Sequence, residues 1–334
     1  MMNDLTRRSA LRAALVPLAL TGGWTALASR AARAETWPTK PVRMIVTQAA
    51  GGTPDIICRS IGVRLTRALG QQIVVENRPG ATNTIGVQAA ARSAPDGYTF
   101  LFATAAALVT NPYTFKTLPY DAIGDFAQVG LVAKGPFIVL VHPSVPAKTL
   151  PELFAYDKAN PGKLTFATDG PRNFSGIIAA WITKLGGANI VQVPYATMPQ
   201  GVQDTLAGRT QVTILAVPSA APHIASGALR PLAVSSLQRL PNYPDVPPIS
   251  DTFSGVEVIG WFTIAAPAKT PPDVVAKMNQ ELDKILKDPE VAQQLAVVGF
   301  FTEGAGTPDA ARDFVKTQYD LWGKVTREIG LKPE

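Results

Sequence analysis

Val42-Arg43-Met44-Ile45-Val46 is an apolar, β-branched run closed by Gly51-Gly52. Pro54 then opens an amphipathic helix in which Ile56, Ile57, Ile61, Leu65 and Leu69 fall at helical spacing, and Gly70 ends it. Ile73-Val74-Val75 is the next strand, so residues 42–75 read as one β-α-β unit whose crossover makes the two strands parallel. The pattern recurs. Residues 98–102, 137–141, 164–167, 191–193, 212–215 and 232–234 read as short strands, and a helix is predicted from about Ser175 to Leu185. The C-terminal third reads as helical, with Thr270-Pro271, Asp288-Pro289 and Thr307-Pro308 each pairing a capping residue with a proline at the first helical position. Tyr319 and Trp322 on the last of these helices read as core. Strands alternating with helices predict an α/β fold.

The chain has 334 residues, a length that favours two domains. Its net charge of +6 is uneven: five of the 31 basic residues and one of the 25 acidic ones fall in the first 34 positions, leaving +2 for the rest. A nucleic-acid partner is therefore not expected. Arg7, Arg8 and Arg12 form a charged start, residues 13–20 a short apolar core, and Ala32-Arg33-Ala34 a cleavage site. The apolar core is far shorter than the roughly 20 residues that span a bilayer. Residues 1–34 are thus read as a signal peptide, cleaved after Ala34, with the mature chain exported to the periplasm. Residues 6–12 also resemble a twin-arginine motif without its usual Phe, and an ordinary secretory start fits equally well. Cys58 is the only cysteine, so no intrachain disulfide is possible, and its place on an apolar helix suggests a buried small hydrophobe.

The catalytic inventory is thin. His142 and His223 each adjoin a proline, and neither has the His/Glu or His/Cys spacing of a metal site. No serine sits in a Gly-x-Ser-x-Gly elbow, and no Gly-rich phosphate loop is present. A triad assembled only in space stays open on this reading. The expectation is a protein that performs no catalysis and uses no metal or cofactor.

What recurs is a polar loop with Gly or Thr between a strand's carboxyl end and a helix: residues 48–55, 79–84, 104–111 and 168–175. In parallel sheets such loops gather on one edge, where ligands bind. Helix N-termini there offer free N–H groups and a positive dipole end, which suit a carboxylate. The same Thr, Asn and Asp residues also serve as ordinary caps. Asp55 lies in a first helical turn; facing an anion it would repel it, so a functional Asp55 should hold loop amides or a water instead.

Residues 37–46, reading Trp-Pro-Thr-Lys-Pro-Val-Arg-Met-Ile-Val, and then Gly51-Gly52-Thr53-Pro54-Asp55 carry a family resemblance. It continues through Val75-Glu76-Asn77-Arg78-Pro79-Gly80-Ala81, Ala94-Pro95-Asp96-Gly97-Tyr98-Thr99, Leu118-Pro119-Tyr120-Asp121, Val193-Pro194-Tyr195 and Pro244-Asp245-Val246-Pro247. In this order, over the whole mature chain, the motifs resemble the Bug (TctC-like) family, the extracytoplasmic solute receptors of tripartite tricarboxylate transporters.

The resemblance implies a two-lobed periplasmic binding-protein fold of the type II, Venus-flytrap kind, each lobe a mostly parallel sheet flanked by helices. It places lobe 1 at residues 35–137, lobe 2 at 138–249 and a return to lobe 1 at 250–334. It implies a small carboxylate ligand, either a di- or tricarboxylate or an aromatic acid such as a phthalate-type dicarboxylate. It also implies membrane subunits of a tripartite transporter, or a sensor kinase, as partners of a monomer. An enzyme on a similar fold, and an orphan receptor acting through protein contact, are the alternative readings. Taken together, the loop reading and the resemblance make the expected ligand contacts Gln48, Ala50, Gly51, Thr53 and Asp55 in the first loop, Asn83 in the second, and Thr104 and Ala105 in the third. Thr168, Gly170, Arg172, Asn173, Phe174 and Ser175 supply the fourth, joined by Tyr195.

The departures from the family pattern matter. Gln48 and Ala49-Ala50 stand where an aromatic residue and a proline are usual. The loop usually reading Ala-Thr-x-Gly-x-Gly-Ser-x-x-His here reads Ala167-Thr168-Asp169-Gly170-Pro171-Arg172-Asn173-Phe174-Ser175-Gly176. Ala196-Thr197 replaces a usual Lys-Gly, and Leu215 stands where an Asp is frequent. The cleft is therefore expected to suit an α-ammonium group less well. Arg172 is expected either to clamp a ligand carboxylate or to be a solvated loop arginine, and Phe174 to pack on a ring.

Overall fold

The computed structural model describes residues 37–195 and 197–334, so residues 1–34, expected to be a signal peptide, and the Ala196 of the Ala196-Thr197 departure lie outside the described residues. The first β-α-β unit is present: β1 (Val42–Val46), α1 (Thr53–Leu69) and β2 (Ile73–Asn77). Gly70, at φ 70°, closes α1 by returning its amide to the Thr66 carbonyl. The chain continues through α2 (Thr84–Ala91), β3 (Thr99–Thr104), a π-helical turn at Ala106–Thr110, α3 (Asn111–Thr114) and β4 (Phe126–Val141). Next come α4 (Leu150–Ala159), β5 (Thr165–Thr168), α5 (Phe174–Leu185), β6 (Val191–Pro194), α6 (Met198–Leu206), β7 (Val212–Ala216), α7 (Val217–Ala225) and β8 (Arg230–Val234). The chain ends with β9 (Ile259–Pro267), α8 (Pro272–Leu286), α9 (Pro289–Val297) and α10 (Pro308–Glu328).

The strands hydrogen-bond in the order β2-β1-β3-β9-β4-β7-β5-β6, with β8 on β4. Parallel pairing is confined to the two outer groups, β2-β1-β3 and β6-β5-β7. The strands that join the groups pair antiparallel, which the sequence reading of mostly parallel sheets had not anticipated. The reason is topological: β4 carries the chain from one group to the other, and β9 runs back beside it. β4 pairs with β9 up to Pro136 and with β7 from Phe137 onward.

That strand starts eleven residues earlier than the sequence suggested, because Gly130, Gly135 and Pro136 read as punctuation. Gly135 is there for space: a Cβ on it would stand 2.6 Å from the Phe300 ring. The helix expected at Pro271 begins one residue later, since Pro271 precedes Pro272 and is pushed to an extended ψ of 134°. The Asp288 and Thr307 side chains cap α9 and α10 as the sequence indicated, accepting from the Glu290 and Ala310 amides.

Both faces of the β1 end are packed. Val42, Met44 and Val46 join Ile57, Cys58, Ile61 and Leu65 of α1 and Met278 and Leu282 of α8 in one apolar cluster. Ile45 joins Leu101 of β3 and Trp322 of α10 in another. Full burial of such side chains contributes about 1.5–3 kcal/mol each. The strand end that presents the 48–55 loop is therefore anchored by the scaffold rather than by the loop's own contacts. Burial pushes the Cys58 thiol well above its ordinary range, which leaves it a small hydrophobe.

Candidate ligand-binding cleft

Two cavities open where the parallel strands end. One, of about 270 Å³, is lined by Gln48, Thr53 and Pro54 after β1, by Thr104, Ala105 and Ala106 after β3, and by Trp261 and Phe262 of β9. The other, of about 410 Å³, is lined by Asp169, Phe174 and Ser175 after β5, by Leu215 and Ala216 of β7, by Met198 and Gln203 of α6, and by Ser219 and His223 of α7. Phe137, Phe174 and Ala216 line both, so the cavities share a wall. No lysine or arginine lines either one among the described residues.

At the smaller cavity, α1 begins at Thr53 without a side-chain cap. Pro54 brings no N–H to the first turn, so this terminus offers the Thr53 and Asp55 amides together with a positive dipole end. Asp55 is 3 % exposed and turned into the protein. Its carboxylate accepts from the Gly51 amide at 2.9 Å and from Asn77 Nδ2 at 2.9 Å, and pairs with Arg59 Nε at 2.9 Å. Burial raises the Asp55 pKa, but Arg59, the Gly51 amide and Asn77 together more than reverse this and hold it below the ordinary carboxylate value. Asn77 also donates to the Gln48 carbonyl at 3.0 Å, which fixes the start of the loop. The Asp55 charge is thus neutralised inside the loop that it shapes.

At the larger cavity the loop before α5 is knitted to itself. The Asp169 amide donates to Ser175 Oγ at 3.0 Å, Ser175 Oγ donates to Asp169 Oδ1, and Asn173 Nδ2 donates to the Asp169 carbonyl at 2.6 Å. Burial raises the Asp169 pKa above its ordinary value, against the opposing pull of Ser175 and backbone amides. No cation pairs with Asp169 among the described residues.

The structure brings together Gln48, Thr53, Thr104, Ala105 and Phe174 at the smaller cavity, and Phe174 and Ser175 at the larger. The other sequence candidates line neither. Ala50 and Gly51 are exposed on the loop, and Asn83 sits at φ 73° ahead of α2. Thr168 is fully buried, donating to Gln192 Oε1 at 3.3 Å, and Gly170 turns the chain at φ 114°. Asn173 holds the loop, and Tyr195 donates to Asp204 Oδ2 at 2.8 Å. Arg172 faces the C-terminal tail, donating to the Lys332 carbonyl at 3.0 Å and pairing with Glu334. Phe174 packs between protein rings, 5.0 Å from Phe137 and 4.7 Å from Trp322.

Several wall residues escaped the sequence reading. Trp261 and Phe262 belong to β9, a strand not recognised although Trp261-Phe262-Thr263-Ile264 is rich in β-forming residues. Met198 and Gln203 lie on α6, likewise unrecognised. Asp169 was visible as the acidic residue of its loop. It lines the larger cavity, whereas the expectation that the cleft suits an α-ammonium group less well took no account of it.

Comparison with known proteins fits this geometry. Residues 57–331 match the family described as tripartite tricarboxylate transporter family receptor. The chain is 33% identical over 319 residues to Protein BugT of Bordetella pertussis, covering 94% of this chain and 98% of that one. Among solved structures it resembles R. palustris Rpa4515 with adipate, at TM-score 0.77 and 30% identity over 89% of this chain and 100% of that one. It also resembles MatC from Rhodopseudomonas palustris with bound malate, at TM-score 0.71 and 26% identity over 86% of this chain and 99% of that one. The chain belongs to the receptors of the tripartite tricarboxylate transporter family, and it is a binding receptor rather than an enzyme.

Proposed function

We propose that this receptor captures a small carboxylate in the periplasm and delivers it to the membrane subunits of a tripartite transporter. The observation that carries the reading is the uncapped N-terminus of α1 opening, beside the Thr104 hydroxyl, onto a cavity without lysine or arginine. An anion there is met by amides, hydroxyls and a helix dipole rather than by a cation. Charge-assisted hydrogen bonds contribute about 1.5–3 kcal/mol each. Three or four of them, less desolvation and closure, are compatible with micromolar binding at about −8 kcal/mol. The adipate and malate of the two relatives support the same ligand class.

Gln48, Thr53, Thr104, Ala105, Phe174 and Ser175 are the proposed contacts, with Asp55 holding the first loop in shape. The exchange of β9 for β7 along β4, between Pro136 and Phe137, supports a lobe boundary near the proposed 137/138, with the crossing strands as the proposed hinge. Residues 1–34 are proposed to be the export signal.

A thermal-shift screen of aliphatic and aromatic carboxylates on the chain from Glu35 tests the reading. A ligand at about 100 times its Kd adds roughly 2.7 kcal/mol of stability. If only sugars or metal cations raise the transition, the proposal is wrong.

A further inference from the structure

We infer that the end of the ligand entering the larger cavity carries a hydrogen-bond donor instead of a second carboxylate. The ligand class is then a small monocarboxylate with an ammonium, amide or hydroxyl group at its far end. This deepens the carboxylate reading above and rests on it.

Asp169 lines the 410 Å³ cavity with Ser175 beside it, at the start of α5. In a site built for a second anion, the Ser175 hydroxyl would be a free donor. Here it is committed in both directions, donating to Asp169 Oδ1 and accepting from the Asp169 amide. The other side-chain donors of the loop are turned elsewhere: Asn173 donates to the Asp169 carbonyl, Thr168 to Gln192 Oε1, and Arg172 to the Lys332 carbonyl. The chain's own carboxylate thus stands where a ligand carboxylate would use the helix end. No lysine or arginine in the wall offsets it among the described residues. A second ligand carboxylate would meet a like charge, whereas a donor would meet an acceptor that has no cationic partner. Burial works in the same direction, since a partly buried carboxylate without a cation gains most from a charged or neutral donor brought by the ligand. The remaining titratable group in the wall is His223 on α7.

Matched pairs test the inference by calorimetric titration of the chain from Glu35: succinate against 4-aminobutyrate, adipate against 6-aminohexanoate, and suberate against 8-aminooctanoate. In the pair whose length fits, the amino acid is expected to bind at least tenfold tighter than the diacid, with the hydroxy acid and the monoamide between them. Asp169→Asn should bring the two members within threefold, with its transition temperature recorded to show that it folds. Tighter binding of the diacid, or an Asp169→Asn variant that keeps the wild-type ratio, overturns the inference while leaving the carboxylate reading intact. Silence of both series, together with every other carboxylate of the screen, overturns both.

Discussion

Asp55 and Asp169 occupy comparable places in the two halves of the sheet, each on the segment that leaves the carboxyl end of a strand for a helix, and their surroundings are opposite. Asp55 is buried and paired with Arg59, Asn77 and the Gly51 amide, so its charged form is favoured and hidden. Asp169 lines a cavity with a serine as its side-chain partner, so its charged form is disfavoured and available. The same loop chemistry therefore builds two different surfaces. One carboxylate holds its loop in shape and is withdrawn from the cavity. The other is itself the feature presented.

The sharpest way to break this contrast is to move the Asp169 loop. A Cβ on Gly176 would stand 2.0 Å from the Gly170 carbonyl oxygen, so Gly176→Ala must displace the loop from α5. A destabilisation of about 3 kcal/mol is expected in chemical denaturation, at the upper end of overpacking effects. A variant as stable as the wild type would show that the loop is not pinned there.

Neutralising the two carboxylates separates them by sign. Asp55→Asn loses the Arg59 pair and should cost about 1.5–3 kcal/mol at neutral pH, the range for hydrogen bonds to charged groups. Because the folded pKa of Asp55 is depressed, its contribution is present above the unfolded value and is lost as pH falls through the folded one. The Asp55→Asn deficit should therefore shrink only in acid, below the ordinary carboxylate range. The folded pKa of Asp169 is raised, so its favourable contribution is present below the unfolded value and lost as pH rises through the folded one. Asp169→Asn should consequently match or exceed the wild type at neutral pH and lose that advantage in acid. Melting curves from pH 3 to 8 that fall in parallel for both variants would contradict the comparison.

The smallest effect is expected at Arg172. Its pair with Glu334 is exposed on the Glu334 side, so Arg172→Ala should cost no more than about 1 kcal/mol. Ligand affinity should change less than twofold, since the guanidinium lines neither cavity. A tenfold loss of affinity in calorimetry would restore it as a ligand clamp.

The periodicity of residues 42–75 made the first β-α-β unit legible, and caps at Asp288 and Thr307 made two C-terminal helices legible, because these signals are local. β9 and the first part of β4 were not legible. Their glycines and prolines look like breaks until Phe300 is seen filling the space above Gly135. The 48–55, 104–111 and 168–175 loops were found by their position between strand and helix, and all three reach a cavity wall. The second, around Asn83, does not. Nothing in the order of residues tells which of four similar loops faces a cavity and which one precedes α2 away from both.

The sequence by itself determined the alternation of strand and helix, the gathering of polar loops at one edge and the family, since each follows from neighbours along the chain. Tertiary structure alone decided which carboxylate turns inward to Arg59 and Asn77 and which lines the cavity. It also decided that Arg172 meets the C-terminal tail 160 residues away rather than a ligand. A charged side chain takes its role from whatever partners lie within a few ångströms, and those partners arrive from distant parts of the chain only when it folds.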